Sequence, residues 1–218
     1  SQSPERGRNL IGLYVSVPLA CFRRGLSRDF WESEILPPPS TCYGFLLALV
    51  GEENRIKHCG VRIAPAMLVE PYHSIVLRTA WRIKVSSAGL GNGPNKSPVE
   101  QELLTGVELA VWTDSSGEDS VPTLEARVLT ALTDPSKICR FGGLALGESS
   151  HLVNDVKLIL PGEKQKQKIF KLNAQGRLSL PVWVDHVGSI HTRSVFGNLY
   201  EQSLVPPDLD EMPVIKPE

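Results

Sequence analysis

Residues 140–149 read RFGGLALGES, one position short of a phosphate-binding P-loop: Gly142, four residues, Gly147, then Glu148 where the motif requires lysine, then Ser149. The fold turns on this stretch, because a true P-loop leaves a buried strand and opens a helix. The motif's lysine reaches toward the β/γ-phosphates while backbone N–H groups cradle the α/β-phosphates, so a carboxylate in its place repels the nucleotide. The flanks disagree as well. PTLEARVLTALTD before the loop has helical spacing, and HLVNDVKLIL after it is strand-like. Nucleotide hydrolysis is not expected. Three glycines still offer unhindered N–H groups to an anion, and the phosphodiester backbone of RNA is one with no γ-phosphate.

Outward from the loop, NLIGLYVSV alternates, with Ile11, Leu13, Val15 and Val17 on one side and Gly12, Tyr14 and Ser16 on the other, as a half-buried strand does. PPPSTCYGFLLALVGE reads as a helix: three prolines forbid an earlier start, Ser40 or Thr41 can cap it, and Gly51 stops it. CGVRIAPAML is a second strand and SIVLRTAWRIKV a third. In the third, Ile75, Leu77, Thr79, Trp81, Ile83 and Val85 share one face, while Arg78, Arg82 and Lys84 share the other. Residues 86–102 hold three glycines and two prolines without apolar periodicity, which predicts a long loop or a mobile hairpin tip. TGVELAVWT is the next strand. Leu124, Val128 and Leu132 then mark one face of a second helix that ends near Asp134 and Pro135. Beyond the glycine loop come the Lys-spaced run EKQKQKIFK, a last strand in RLSLPVWVDHVG, and a proline-rich acidic tail from about Pro206, extended and suited to docking on a partner. The order is α+β and approximates the βαββαβ ferredoxin-like plan of RNA-recognition modules, with a hairpin inserted.

Composition sets the outer bounds. A chain of 218 residues with 41% hydrophobic content buries a real core. The longest apolar run, residues 45–50, is far below the roughly twenty residues of a spanning helix, and SQSPERGR lacks the apolar core of a signal peptide, so no membrane role and a cytoplasmic location are expected. Cys21, Cys42, Cys59 and Cys139 form no CxxC pair, which predicts free thiols and no metal site. The net charge of −1 gives no whole-chain field toward nucleic acid, so the distribution of charge must decide.

Two distributions matter. CFRRGLSRDFW interleaves Arg23, Arg24 and Arg28 with Phe22, Phe30 and Trp31, cations for phosphates beside rings for bases, which is the composition of a single-stranded nucleic-acid site. The three cations of the third strand are the other. Against catalysis, Ser149, His151 and Asp155 or Asp185 occur without a GxSxG, so no hydrolase triad is expected. A metal-independent ribonuclease built from Tyr43, Lys96 and His186 or His191 is the stronger alternative, although the sequence does not place those residues together.

The order of FRRGLSRDFWESEILPPPSTCYGFLLALVGE, NKSPVEQELLTGVELAVWTD, ICRFGGLALGESSHLVNDV and LPVWVDHVG resembles the Cas-five family of CRISPR-associated proteins over most of residues 9–190. It looks most like the branch found in type I-B and related systems. The resemblance implies an RNA-recognition-like, RAMP-type domain over residues 9–150 with a β-hairpin thumb near 86–102, a C-terminal β extension over 151–200 and a tail over 201–218. It implies a subunit of the Cascade complex that caps the 5′ handle of CRISPR RNA. Its neighbours would be the large, Cas-eight-type subunit and the first Cas-seven backbone subunit, and it would meet target DNA through the complex. The candidate RNA contacts are Arg23, Arg24, Arg28 and Trp31; Ser40, Thr41 and Tyr43 in and after the PPPST segment; Arg78, Arg82 and Lys84 of the third strand; Lys96 in the thumb region; and Arg140, Gly142, Gly143, Gly147 and Ser149 of the loop. No cofactor is implied. One branch of the family cleaves precursor RNA with Tyr, Lys and His, but Lys96 here has no neighbouring histidine, so an interaction subunit is expected rather than an enzyme.

Overall fold

The computed structural model describes residues 10–25, 29–81, 84–89, 91–140, 142–188 and 190–217. Strand β1 (Leu10–Ala20) keeps the expected alternation, burying Leu13, Val15 and Val17. Three two-residue strands follow: β2 (Phe22–Arg23), β3 (Phe30–Trp31) and β4 (Ser33–Glu34), with β2 antiparallel to β4. Helix α1 (Pro39–Leu49) starts earlier than the cap expected at Ser40 or Thr41. Pro38 is the N-cap, with no side-chain cap, because Pro39 in the first turn has preset φ and no N–H to satisfy. The Pro38 carbonyl then accepts the N–H groups of Thr41 and Cys42 at 2.9 and 3.0 Å. Gly51 ends the helix at φ +67°, where a Cβ would collide with the Cys139 carbonyl oxygen.

Strand β5 (Arg62–Met67) is followed by β6 (Tyr72–Trp81) and β7 (Lys96–Asp114). The 19 residues of β7 span about 60 Å at the rise of an extended strand. Its inner half lies between β1 and β5, and its outer half pairs with β6 as a long hairpin from Tyr72↔Thr105 to Trp81↔Lys96. Residues 96–102, expected in the loop, are therefore strand. Pairing with β6 and the burial of Val99 and Gln101 outweigh their polar, proline-containing sequence. The expected apolar face of β6 is also reversed, since Ile75, Leu77 and Trp81 are 62%, 74% and 67% exposed. The period-2 spacing holds, but the hairpin runs past the helices and leaves that side exposed at these three residues.

Helix α2 (Leu124–Thr133) is capped by the Thr123 side chain, which accepts from the Ala126 N–H at 3.3 Å, and it buries Leu124, Val128 and Ala131. The glycine loop leads to β8 (Asp155–Leu158), and then β9 (Lys166–Leu172), β10 (Leu178–Trp183) and β11 (Arg193–Ser203) complete the strands. Among the described residues nine strands form one sheet in the order β10-β11-β9-β5-β7-β1-β8, with β3 and β6 joined to β7 off that path. The pairs β5–β7, β7–β1 and β1–β8 are antiparallel. Both helices pack on one face, over Leu13, Val15, Leu109 and Val111. On the other face Ala64, Ala110 and Trp112 meet Ile169, Leu204 and Met212 from the C-terminal third.

β11 was not expected. Its Gly197 is a close-approach position, since a Cβ there would strike the Lys171 carbonyl and the Phe170 ring. The tail also departs from expectation, because it docks on this chain. The Ile63 N–H donates to Pro213 O at 2.9 Å, and the Ile215 N–H donates to Val61 O at 2.8 Å. Met212 and Ile215 are buried. No helix among the described residues is long and apolar enough to cross a membrane.

Candidate nucleic-acid interface

The aromatic and cationic residues of CFRRGLSRDFW separate on folding. Phe22 enters the core, while Trp31 on β3 lies beside β7 at Gln101. The Arg23 guanidinium is 4.6 Å from the Trp31 ring centroid and that of Arg78, on β6, is 5.7 Å from it, both within cation–π range. Arg24 turns instead to Glu32 and Glu34, at 3.6 and 3.7 Å. Arg28 and Arg82 lie outside the described residues, and Lys84 is exposed at the hairpin turn. Of the third strand's described cations, Arg78 is drawn toward the glycine loop.

What draws it is Glu148. One Glu148 oxygen accepts the Gln101 side-chain N–H at 2.7 Å, and the other faces Arg78 at 3.2 Å. Arg78 in turn donates to Gln101, which is fully buried. The carboxylate that spoils the P-loop therefore ties the glycine loop to the hairpin. His151 secures it from below: its Nδ1 accepts the Cys21 N–H at 3.2 Å and the Glu148 N–H at 3.4 Å. Two donors at Nδ1 require the neutral ring, and burial, aided by the nearby Arg78 charge against the pull of Glu148, pushes the His151 pKa below its ordinary value.

The glycines divide the work unequally. Gly147 has φ +98°, and a Cβ there would approach the Cys21 carbonyl oxygen at 2.8 Å. Gly142 has φ +80° with open space around it. Gly143 has no left-handed φ, and a Cβ there would meet only the end of the Leu152 side chain at 3.0 Å. Arg140 and Ser149 are exposed on either side of the loop.

Beside the loop opens a cleft of about 360 Å³, walled by the start of α1 with Ser40 and Thr41, by Gly147, and by Trp183 and His186 at the end of β10. Tyr43 reaches it from α1, but its hydroxyl donates to the Arg55 carbonyl at 2.8 Å and burial raises its pKa. Arg55 stacks on Trp183 at 3.9 Å and donates to Val184 O at 2.7 Å. Of the suspected ribonuclease residues, Tyr43 and His186 share this cleft. Lys96 sits across from Trp81 at the far end of the hairpin, and His191 lies in the turn after β10, its N–H donating to Asp185.

The surface so assembled runs from Trp31 and its arginines, over the Glu148 tie, to the glycine loop and the cleft, with rings and guanidinium groups beside exposed backbone. No family model matches the chain. A protein described as "CRISPR-associated protein Cas5", from Myxococcus xanthus (strain DK1622), is 45% identical over 208 residues, which are 94% of this chain and 97% of that protein. The chain belongs to the Cas5 family. Two solved structures share the fold of this Cas5 protein. A chain of a structure titled "CRISPR RNA-guided surveillance complex" superposes with a TM-score of 0.60 at 11% identity, covering 93% of this chain and 95% of the other. A second, "Crystal structure of Cas protein", gives a TM-score of 0.51 at 14% identity over 89% of this chain and 94% of that one. Sequence reasoning missed Gln101, Glu148, His151, Arg55 and Trp183 as parts of this surface. Glu148 carried a signal, being the wrong residue for the motif around it. Arg55, in the polar loop after α1, and Trp183, in an ordinary strand pattern, carried none.

Proposed function

We propose that this Cas5 chain is a subunit of a Cascade-type, RNA-guided CRISPR surveillance complex, in which it holds the 5′ handle of CRISPR RNA and joins the large subunit to the Cas-seven backbone. The observation that carries the reading is the 45% identity to a Cas5 protein over 94% of the chain. The order β5-β7-β1-β8, with two helices on one face, supports a ferredoxin-like core of the RNA-recognition type. The hairpin of β6 and outer β7 serves as the thumb, and the apolar side it exposes suits a neighbouring subunit. Target DNA is reached through the complex, in the prokaryotic cytoplasm.

The purified protein, titrated with handle RNA at several salt concentrations, tests the reading. Each phosphate neutralised on a single strand contributes about −0.7 to the log–log slope. Arg23→Ala with Arg24→Ala is expected to weaken binding and to flatten that slope by up to about 1.4. Absence of RNA binding, or an unchanged slope, counts against it. The chain is proposed to be an interaction subunit without ribonuclease activity, a view supported by the engaged Tyr43 hydroxyl and by the remoteness of Lys96 from the cleft. Precursor repeat RNA is expected to stay intact with the protein in metal-free buffer, and cleavage at one site would restore the enzyme reading.

A further inference from the structure

Strand β8 is the last in the sheet order, and among the described residues no named strand pairs with its outer side. The Ile159 N–H donates inward to Gly12 O at 2.8 Å, so the alternation of an antiparallel ladder turns the backbone groups of Val156 and Leu158 outward. An edge of this kind is a template for a further strand. The free stretch is bounded at both ends. Before it the Val153 N–H donates to Leu144 O at 2.9 Å, and after it the Leu160 N–H donates to Glu163 at 3.2 Å. What remains is residues 154–158, NDVKL. Beside its start a cleft of about 300 Å³ opens between Arg140, Gly143 and Leu144 on one side and Leu152 and Val156 on the other.

The order of residues along this edge selects the strand that fits it. Turned end for end about Val156, the segment sets Asp155 against Lys157, so antiparallel pairing with its own copy opposes unlike charges twice and like charges nowhere. A uniformly basic or acidic strand would match one of the two charges and oppose the other. Both side chains are available, since they meet within one chain only at 3.8 Å and are 49% and 63% exposed. The same register carries Leu160 of each copy, 63% exposed, toward the cleft of the other beside Leu152, itself 56% exposed. We propose that the chain forms a two-fold dimer in which β8 pairs antiparallel with β8 of a second copy, centred on Val156 and locked by two Asp155–Lys157 pairs between the copies. Such an interface uses the same patch on both chains and closes on itself, so assembly stops at two. Its small extent makes the dimer a weak one, formed at high protein concentration. The proposal goes beyond the RNA-binding reading and does not rest on it.

Sedimentation and light scattering of the full chain, without RNA and over rising concentration, test the proposal. The mass is expected to climb to that of two chains and no further. Lys157→Asp places carboxylates opposite carboxylates at both positions and is expected to weaken association about tenfold or more, and Asp155→Lys does the same with ammonium groups. An equimolar mixture of the two variants is expected to recover the dimer, because each supplies the charge that the other lacks. The doubly exchanged chain, Asp155→Lys with Lys157→Asp, is expected to recover it alone. These recoveries separate a lost interface from a lost fold. The proposal is overturned if the wild type stays monomeric, if its oligomers grow past two, if either single variant dimerises like the wild type, or if the mixture and the double exchange fail to restore the dimer. A chain that binds handle RNA and stays monomeric sinks the dimer and leaves the proposed function standing.

Discussion

A single residue can be judged by what it touches, and Glu148 is the instructive case. Read as part of a nucleotide motif it is an error. Read with its partners, Gln101 at 2.7 Å and Arg78 at 3.2 Å, it joins the glycine loop to the middle of the hairpin. The sequence revealed that the position was unusual, and only the fold revealed its partners, because Gln101 and Arg78 lie 47 and 70 residues away. The glycines show the same limit. Spacing made Gly142, Gly143 and Gly147 look equivalent, yet the left-handed φ and the close approach to Cys21 coincide only at Gly147. Gly147→Ala is therefore expected to cost about 2–3 kcal/mol, from strain at positive φ plus the displaced Cys21 carbonyl. Gly142→Ala should cost about 1 kcal/mol, since its φ is strained but its surroundings are open. Urea unfolding of the two variants ranks them, and equal costs would remove the special role of Gly147.

Elements were legible where one pattern faced one core. Strand β1 and helices α1 and α2 appear where alternation and four-residue spacing placed them, because each packs in a single layer. The hairpin was harder, since its outer half has no helix above it and its turn is shaped by one side chain. Asn95 accepts from the Lys84 and Val85 N–H groups at 2.8 and 3.0 Å and donates to the Val85 and Ala88 carbonyls at 3.0 and 2.9 Å. That closure lies in a stretch whose glycines and prolines predicted only looseness. A second joint between elements links the end of α1 to α2. Glu52 accepts from Lys57 at 2.9 Å and from Arg127, which also donates to the buried His58 at 2.9 Å. Hydrogen bonds from Lys57 and Arg127 hold the Glu52 carboxyl down to about 2. A carboxyl depressed by folding stabilises the protein above its unfolded pKa of about 4.3, and that contribution fades as the pH falls toward 2. Wild type is expected to exceed Glu52→Gln by about 1 kcal/mol at pH 6, allowing for solvent screening, with the gap narrowing below pH 4. A gap independent of pH would show that the ion pairs contribute nothing to it.

At the scale of the molecule, the C-terminal third is what the sequence conveyed least, because its role is to complete surfaces begun much earlier in the chain. Strand β9 pairs with β5 only at Ala66 and Met67, which leaves the first half of β5 without a strand on that side. The tail fills the gap: Arg62 bridges Val214, and Pro213 and Ile215 exchange backbone hydrogen bonds with Ile63, Val61 and Gly60. Met212 then seals the sheet face that carries Ala110 and Trp112, while Ile215 reaches the core under the helices. A polar, proline-rich sequence reads as a free tail because its few apolar residues show no period, yet two of them are buried to 1% and 0% exposure. The tail is therefore a structural part of this chain's sheet and core. Ile215→Ala is expected to cost about 2–4 kcal/mol, as for other fully buried aliphatic side chains, and to lower the melting temperature by about 5–10 °C in a protein of this size. Removing residues 206–218 should cost more and should also promote aggregation, because it opens the β5 edge to other chains. Thermal melting and light scattering of the two variants measure both effects. A truncated protein that melts and scatters like the wild type would show that the docked tail adds nothing to the fold and would return it to the role of a partner-binding segment.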